Sequence, residues 1–71
     1  MLGGSMYIKI LLKEIRKEKN ITLRELSDMT GISKTHLNSI ERNEKMPSLK
    51  IAVIIAKSLS VTVEELYKVE W

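Results

Sequence analysis

Lys34, Thr35, Asn38 and Ser39 recur at helical spacing within one short stretch, and their side chains can address the edges of base pairs. A lysine ammonium donates to O6 and N7 of guanine, an asparagine amide bonds N6 and N7 of adenine, and a threonine methyl can meet the methyl of thymine. Arg42 and Lys45 follow, and their charge would displace counterions from a phosphate chain. On an isolated helix the same residues read equally as the solvated face of an amphipathic segment, and Arg42 and Lys45 as solubilising charge. Other chemistry has little to stand on. The sequence has no glycine-rich phosphate loop and no cysteine, and its one histidine, His36, has no carboxylate or thiol at ligand spacing on its helix. No enzyme, metal site or cofactor is expected.

A reading face of this kind needs a helix held at an angle to its neighbour. Ser27 lies four residues before Gly31, and Leu37 and Ile40 lie six and nine after it. A small side chain at Ser27 lets two backbones approach, Gly31 supplies a positive φ for a tight turn, and Leu37 and Ile40 anchor the second helix. Helix boundaries follow from caps. Ile8, Leu11, Leu12 and Ile15 keep the i, i+3, i+4, i+7 rule and predict a first helix over Tyr7–Lys19, closed by Asn20. Thr22 with Glu25 forms a capping box that opens a second helix over Leu23–Met29, and Ser33 caps a third that runs to Arg42, with Asn43 as a left-handed close.

Pro47 and Ser48 open a fourth helix. The run Ile51–Ala56 is short and β-branched enough for a buried strand, but Leu49, Ala52, Val53, Ala56 and Leu59 keep helical spacing over eleven residues, which favours a helix. Thr62 with Glu65 repeats the capping box and predicts a fifth helix with Val63 and Leu66 inward. Met29 and Met46 read as apolar gap fillers. The fold expected is all-α, five short helices in one domain over residues 6–68. Residues 1–5 read as a cloning scar and 69–71 as a tail that either frays or packs back.

Seventy-one residues leave room for one small core. With no cysteine and an apolar run far short of the ~20 residues that span a bilayer, a cytoplasmic setting without membrane contact is expected. Net charge is +3, unevenly placed: residues 1–61 hold 11 Lys or Arg against 6 Asp or Glu, and residues 62–71 hold one against three. A basic body is compatible with a polyanion, though many small proteins are as basic. A chain this short has little room for a small-molecule pocket, and no such ligand is expected.

Taken together, Ile15-Arg16, Thr22-Leu-Arg-Glu-Leu26, Gly31-Ile-Ser33, Ile40-Glu-Arg42, Pro47-Ser-Leu49 and Val61-Thr-Val-Glu-Glu-Leu66 resemble the lambda repressor and Cro-type helix-turn-helix family, also called XRE-type regulators. The resemblance covers residues 8–67. It implies a third helix in the major groove of double-stranded DNA and a second across the backbone. Lys34, Thr35 and Ser39 match base-reading positions, with Asn38 beside them. Ser33, Arg42 and Lys45 match phosphate contacts, as does the helix start at Thr22 through its backbone N–H groups. Arg16 and Glu41 match an ion pair that ties the first helix to the end of the third.

Two positions depart from the family pattern. Leu23 stands where many relatives carry a glutamine that bonds phosphate or braces the third helix, and Ser39 stands where longer or basic side chains are common. Base reading is therefore expected to lean on Lys34, with weaker anchoring at Leu23. Ile51, Ile54, Val63 and Tyr67 are either absorbed by a core packed differently from that of relatives or left as an apolar patch. A patch would serve a homodimer on a palindromic operator, with Ile54, Val63 and Tyr67 at its interface. The resemblance thus implies a DNA-binding transcriptional regulator, a repressor by expectation. The alternative is a protein-interaction module of the same fold, an antitoxin-like partner or a co-regulator.

Overall fold

Tyr7–Ile10 and Tyr67–Glu70, the first and last regular segments among the described residues, pair with each other as antiparallel strands β1 and β2. The computed structural model describes residues 6–70; the expectation for residues 1–5 lies outside the described residues, as does Trp71. Between the strands run four helices, α1 (Leu12–Glu18), α2 (Leu23–Thr30), α3 (Lys34–Glu41) and α4 (Leu49–Ser58), then one 3₁₀ turn over Glu64–Leu66.

The sheet overturns two expectations, the all-α class and the count of five helices. Tyr7-Ile8-Lys9-Ile10 satisfies a two-residue period as well as a helical one, and only a partner strand decides between them. That partner lies at the far end of the chain. The register sets Ile8 against Val69 and Ile10 against Tyr67, so one face of the sheet is apolar. Lys9 opposes Lys68 and Tyr7 opposes Glu70 on the other. The first helix consequently begins at Leu12, five residues later than its periodicity predicts. At the other end, both bonds of the Thr62–Glu65 capping box form, yet the helix they open lasts a single turn before Tyr67 becomes extended. Val69 and Glu70 complete β2.

Caps fix the remaining boundaries. Thr22 accepts from the Glu25 N–H while Glu25 accepts from the Thr22 N–H, and Ser33 and Ser48 each accept from an N–H three residues on. Asn20, Asn43 and Ser60 all adopt φ 58° and close α1, α3 and α4. Each closure carries the backbone bond from five residues on: Ile21 N–H to the Arg16 carbonyl, Glu44 to Ser39 and Val61 to Ala56.

One buried cluster joins all these elements. Ile10, Leu12, Leu26, Leu37, Ile40, Ile55, Leu59 and Leu66 are all but inaccessible to solvent. Each such side chain contributes about 1.5–3 kcal/mol relative to exposure. Ile51 and Ile54 pack half-buried against this cluster. Leu49, which shares the helical spacing, is the first residue of α4 and is 74% exposed. Met29 and Met46 are exposed and fill no gap in the core.

Candidate nucleic-acid interface

The turn between α2 and α3 is held at several points. Gly31 has φ 75° and its N–H donates to the Ser27 carbonyl. A Cβ built there would meet no atom within 4 Å, so the demand for glycine comes from the backbone alone, about 1–2 kcal/mol for an L residue in this region. The Ser27 hydroxyl donates to the Ile32 carbonyl at 2.6 Å. Thr30 adds a brace that sequence reading missed: its hydroxyl donates to the Leu26 carbonyl at 2.8 Å and accepts the Ile32 N–H at 3.1 Å. A threonine just before a glycine turn was the available signal. Its hydroxyl can bond back one helical turn and forward across the bend at once.

From this turn α3 departs with Leu37 and Ile40 fully buried and Lys34, Thr35 and Asn38 exposed. Lys34, Thr35 and Asn38 share a shallow cleft of about 430 Å³ with Leu23 of α2. Leu23 therefore borders this exposed face of α3, where an amide is absent and a methyl-bearing wall stands instead. Ser39 is half-buried, one turn beyond Thr35, and lies outside that cleft. His36 is also half-buried on the helix flank.

At its far end α3 is tied to α1. The Arg16 guanidinium donates from Nε to Glu41 Oε2 at 2.6 Å and from Nη2 to Oε1 at 3.3 Å, while Nη1 donates to the Ile21 carbonyl at 2.8 Å. The side chains of Arg16 and Glu41 are only 11% and 5% exposed. A two-pronged pair with a third bond to a backbone carbonyl satisfies the charge that burial would otherwise strand.

The positions proposed for phosphate fare unequally. Ser33 caps α3 and is exposed, and Lys45 is exposed on the following loop. Arg42 is exposed, but its guanidinium lies 3.2 Å from Glu44, an acid that the sequence reading left out. Such a solvent-exposed pair is worth only about 0–1 kcal/mol and can yield to a phosphate. At the start of α2 the Thr22 N–H is already spent on the Glu25 carboxylate, and the Thr22 hydroxyl accepts the Glu25 N–H. Bonds from the Thr22 backbone N–H and hydroxyl hold the Glu25 carboxyl below its ordinary range. Val63 and Tyr67 line an apolar cleft with Ile8, Met46 and Val69, on the sheet side of the molecule, and Ile54 is not among its walls.

A family model described as helix-turn-helix matches residues 12–66. YopS, an SPbeta prophage-derived HTH-type transcriptional regulator of Bacillus subtilis (strain 168), is 41% identical over 59 residues, covering 82% of this chain and 80% of YopS. SinR, an HTH-type transcriptional regulator of the same organism, is 34% identical over 65 residues; the alignment covers 84% of this chain but only 59% of SinR. Among solved structures, SinR in complex with DNA superposes with TM-score 0.73 at 39% identity, over 78% of this chain and 89% of that one. The restriction-modification controller C.AhdI from Aeromonas hydrophila gives 0.74 at 25% identity, over 78% and 83%. These relatives are regulators rather than enzymes. With the turn at Gly31, the matched span from α1 to the 3₁₀ turn and these likenesses together, the chain belongs to the helix-turn-helix family.

Proposed function

We propose that this chain is the DNA-reading part of a transcriptional regulator, with α3 in the major groove of a duplex. The observation that carries the reading is the exposed cluster Lys34, Thr35 and Asn38, on a helix fastened at one end by the Gly31 turn and at the other by Arg16–Glu41. A rigid mount matters because base-edge hydrogen bonds tolerate little misplacement. The likeness to SinR, whose structure holds DNA, supports the same reading. Lys34 donates to guanine, Thr35 and Leu23 offer methyl groups to thymine, and Asn38 addresses adenine. Thr22, Ser33, Arg42 and Lys45 anchor the backbone, and Ser39 supports the edge of the reading face. The regulator acts as a repressor, two copies on a two-fold operator with half-sites about one turn, ~34 Å, apart.

Duplex binding across a salt series tests this. The affinity falls linearly on a log–log plot, and Arg42→Ala reduces the slope by about one unit. A second reading, a protein-interaction module, is favoured by the apolar Leu23 wall of the cleft. It predicts little salt dependence and no loss on Arg42→Ala.

A further inference from the structure

We propose that, with α3 in the major groove as read above, Leu23 and Thr35 form a wall that senses a methyl group at pyrimidine C5, so that this chain binds DNA more tightly where the cytosine opposite the guanine read by Lys34 is 5-methylcytosine. This role rests on that reading and adds a chemical mark to it.

The cleft between α2 and α3 is built from unlike halves. Lys34 and Asn38 bring hydrogen-bonding heads to it, and Leu23 and Thr35 bring methyl groups. Leu23 is half-buried: it packs against the core cluster and still borders the cleft, beside three exposed residues of α3. Both methyl-bearing residues sit on fixed backbone. Leu23 is the first residue of α2, directly behind the closed Thr22–Glu25 box, and Thr35 lies in the first turn of α3, behind the Ser33 cap. The bonds of Ser27 and Thr30 around the Gly31 turn hold the two helices at one angle. Sensing a group as small as a methyl requires walls held in this way.

In the major groove a guanine offers O6 and N7 as acceptors, and its cytosine offers the N4 donor with C5 beside it. Lys34 carries donors only, so guanine suits it. At C5 an ordinary cytosine has a hydrogen, and 5-methylcytosine has the methyl group that thymine also carries. A T·A pair would supply that methyl, but it sets the N6 donor of adenine where guanine has O6, against a lysine with no acceptor. An unmodified C·G pair satisfies Lys34 and leaves the apolar wall facing water. The methylated pair meets both halves of the cleft at once, with one more carbon set against Leu23 and Thr35. An amide at position 23 would gain nothing from that carbon.

Fluorescence anisotropy reads the effect on a duplex enriched from a random pool by the parent protein and remade with 5-methylcytosine at one cytosine at a time. Methylation opposite the guanine at which Lys34→Ala relaxes preference raises affinity about two- to five-fold, the worth of one methyl group moved out of water. Thr35→Ser removes one exposed methyl and keeps the hydroxyl, so it melts at the parent's temperature and loses part of the gain. Leu23→Gln loses most of it. No gain opposite that guanine, weaker binding on methylation there, a gain that survives in both variants, or a Lys34→Ala variant that relaxes preference at no guanine would each overturn the methyl-sensing role. Failure of the first three kinds leaves the enriched duplex bound and the DNA-reading role standing. If no duplex is enriched at all, the DNA-reading role falls and methyl sensing falls with it.

Discussion

Glu41 is the last residue of α3, and its carboxylate fixes the end of that helix to α1 through Arg16. Replacing Glu41 by Ala leaves the guanidinium in a nearly dry site with one carbonyl partner, Ile21. The expected cost is about 3 kcal/mol, read as a lower urea midpoint. The double variant Arg16→Met with Glu41→Leu recovers most of it, because the stranded charge rather than the missing pair carries the loss. This pair and the Gly31 turn were legible from residue type and spacing against a familiar pattern. The Thr30 brace and the Arg42–Glu44 contact were not. Each depends on where a rotatable side chain settles among several partners of similar strength.

Helix starts were the most legible elements, since a cap is a local exchange of hydrogen bonds among four neighbouring residues. Thr22–Glu25, Ser33, Ser48 and Thr62–Glu65 all form as their spacing predicts. What the caps could not report was how long each helix lasts. β1 and β2 pair the two ends of the chain, and no local window contains both. The alternation at Ile8 and Ile10 was therefore read as part of a helix. The two capping boxes also make a pH prediction. Bonds from Thr22, backbone first and then hydroxyl, lower the pKa of Glu25, and bonds from Thr62 lower that of Glu65 in the same order. A carboxylate whose pKa is lowered by folding adds stability above its unfolded value of 4.5, and that stability is lost as pH falls through the lowered folded value. Melting temperature accordingly drops on acidification below about pH 4.5. With Glu25→Gln and Glu65→Gln combined, the drop is shallower.

Across the molecule, the face proposed for DNA and the sheet occupy different stretches of chain. The middle, from Thr22 to Lys45, carries the residues proposed to meet DNA, and the two ends build the sheet. The core joins them, with Ile10 and Leu66 from the ends packed in one cluster with Leu26, Leu37 and Ile40. Charge does not follow that division: Thr22–Lys45 holds four Lys or Arg against four Asp or Glu, and the basic excess lies in residues 1–21 and 46–61. The most direct measurement compares Lys34→Ala with the parent on two duplexes, one enriched from a random pool by the parent protein and one of random sequence. Base reading by α3 predicts a loss of about 1–3 kcal/mol on the enriched duplex, relaxed preference at one base position, and a much smaller loss on random DNA. Equal losses on both would make Lys34 a backbone contact and contradict the claim that this face reads sequence.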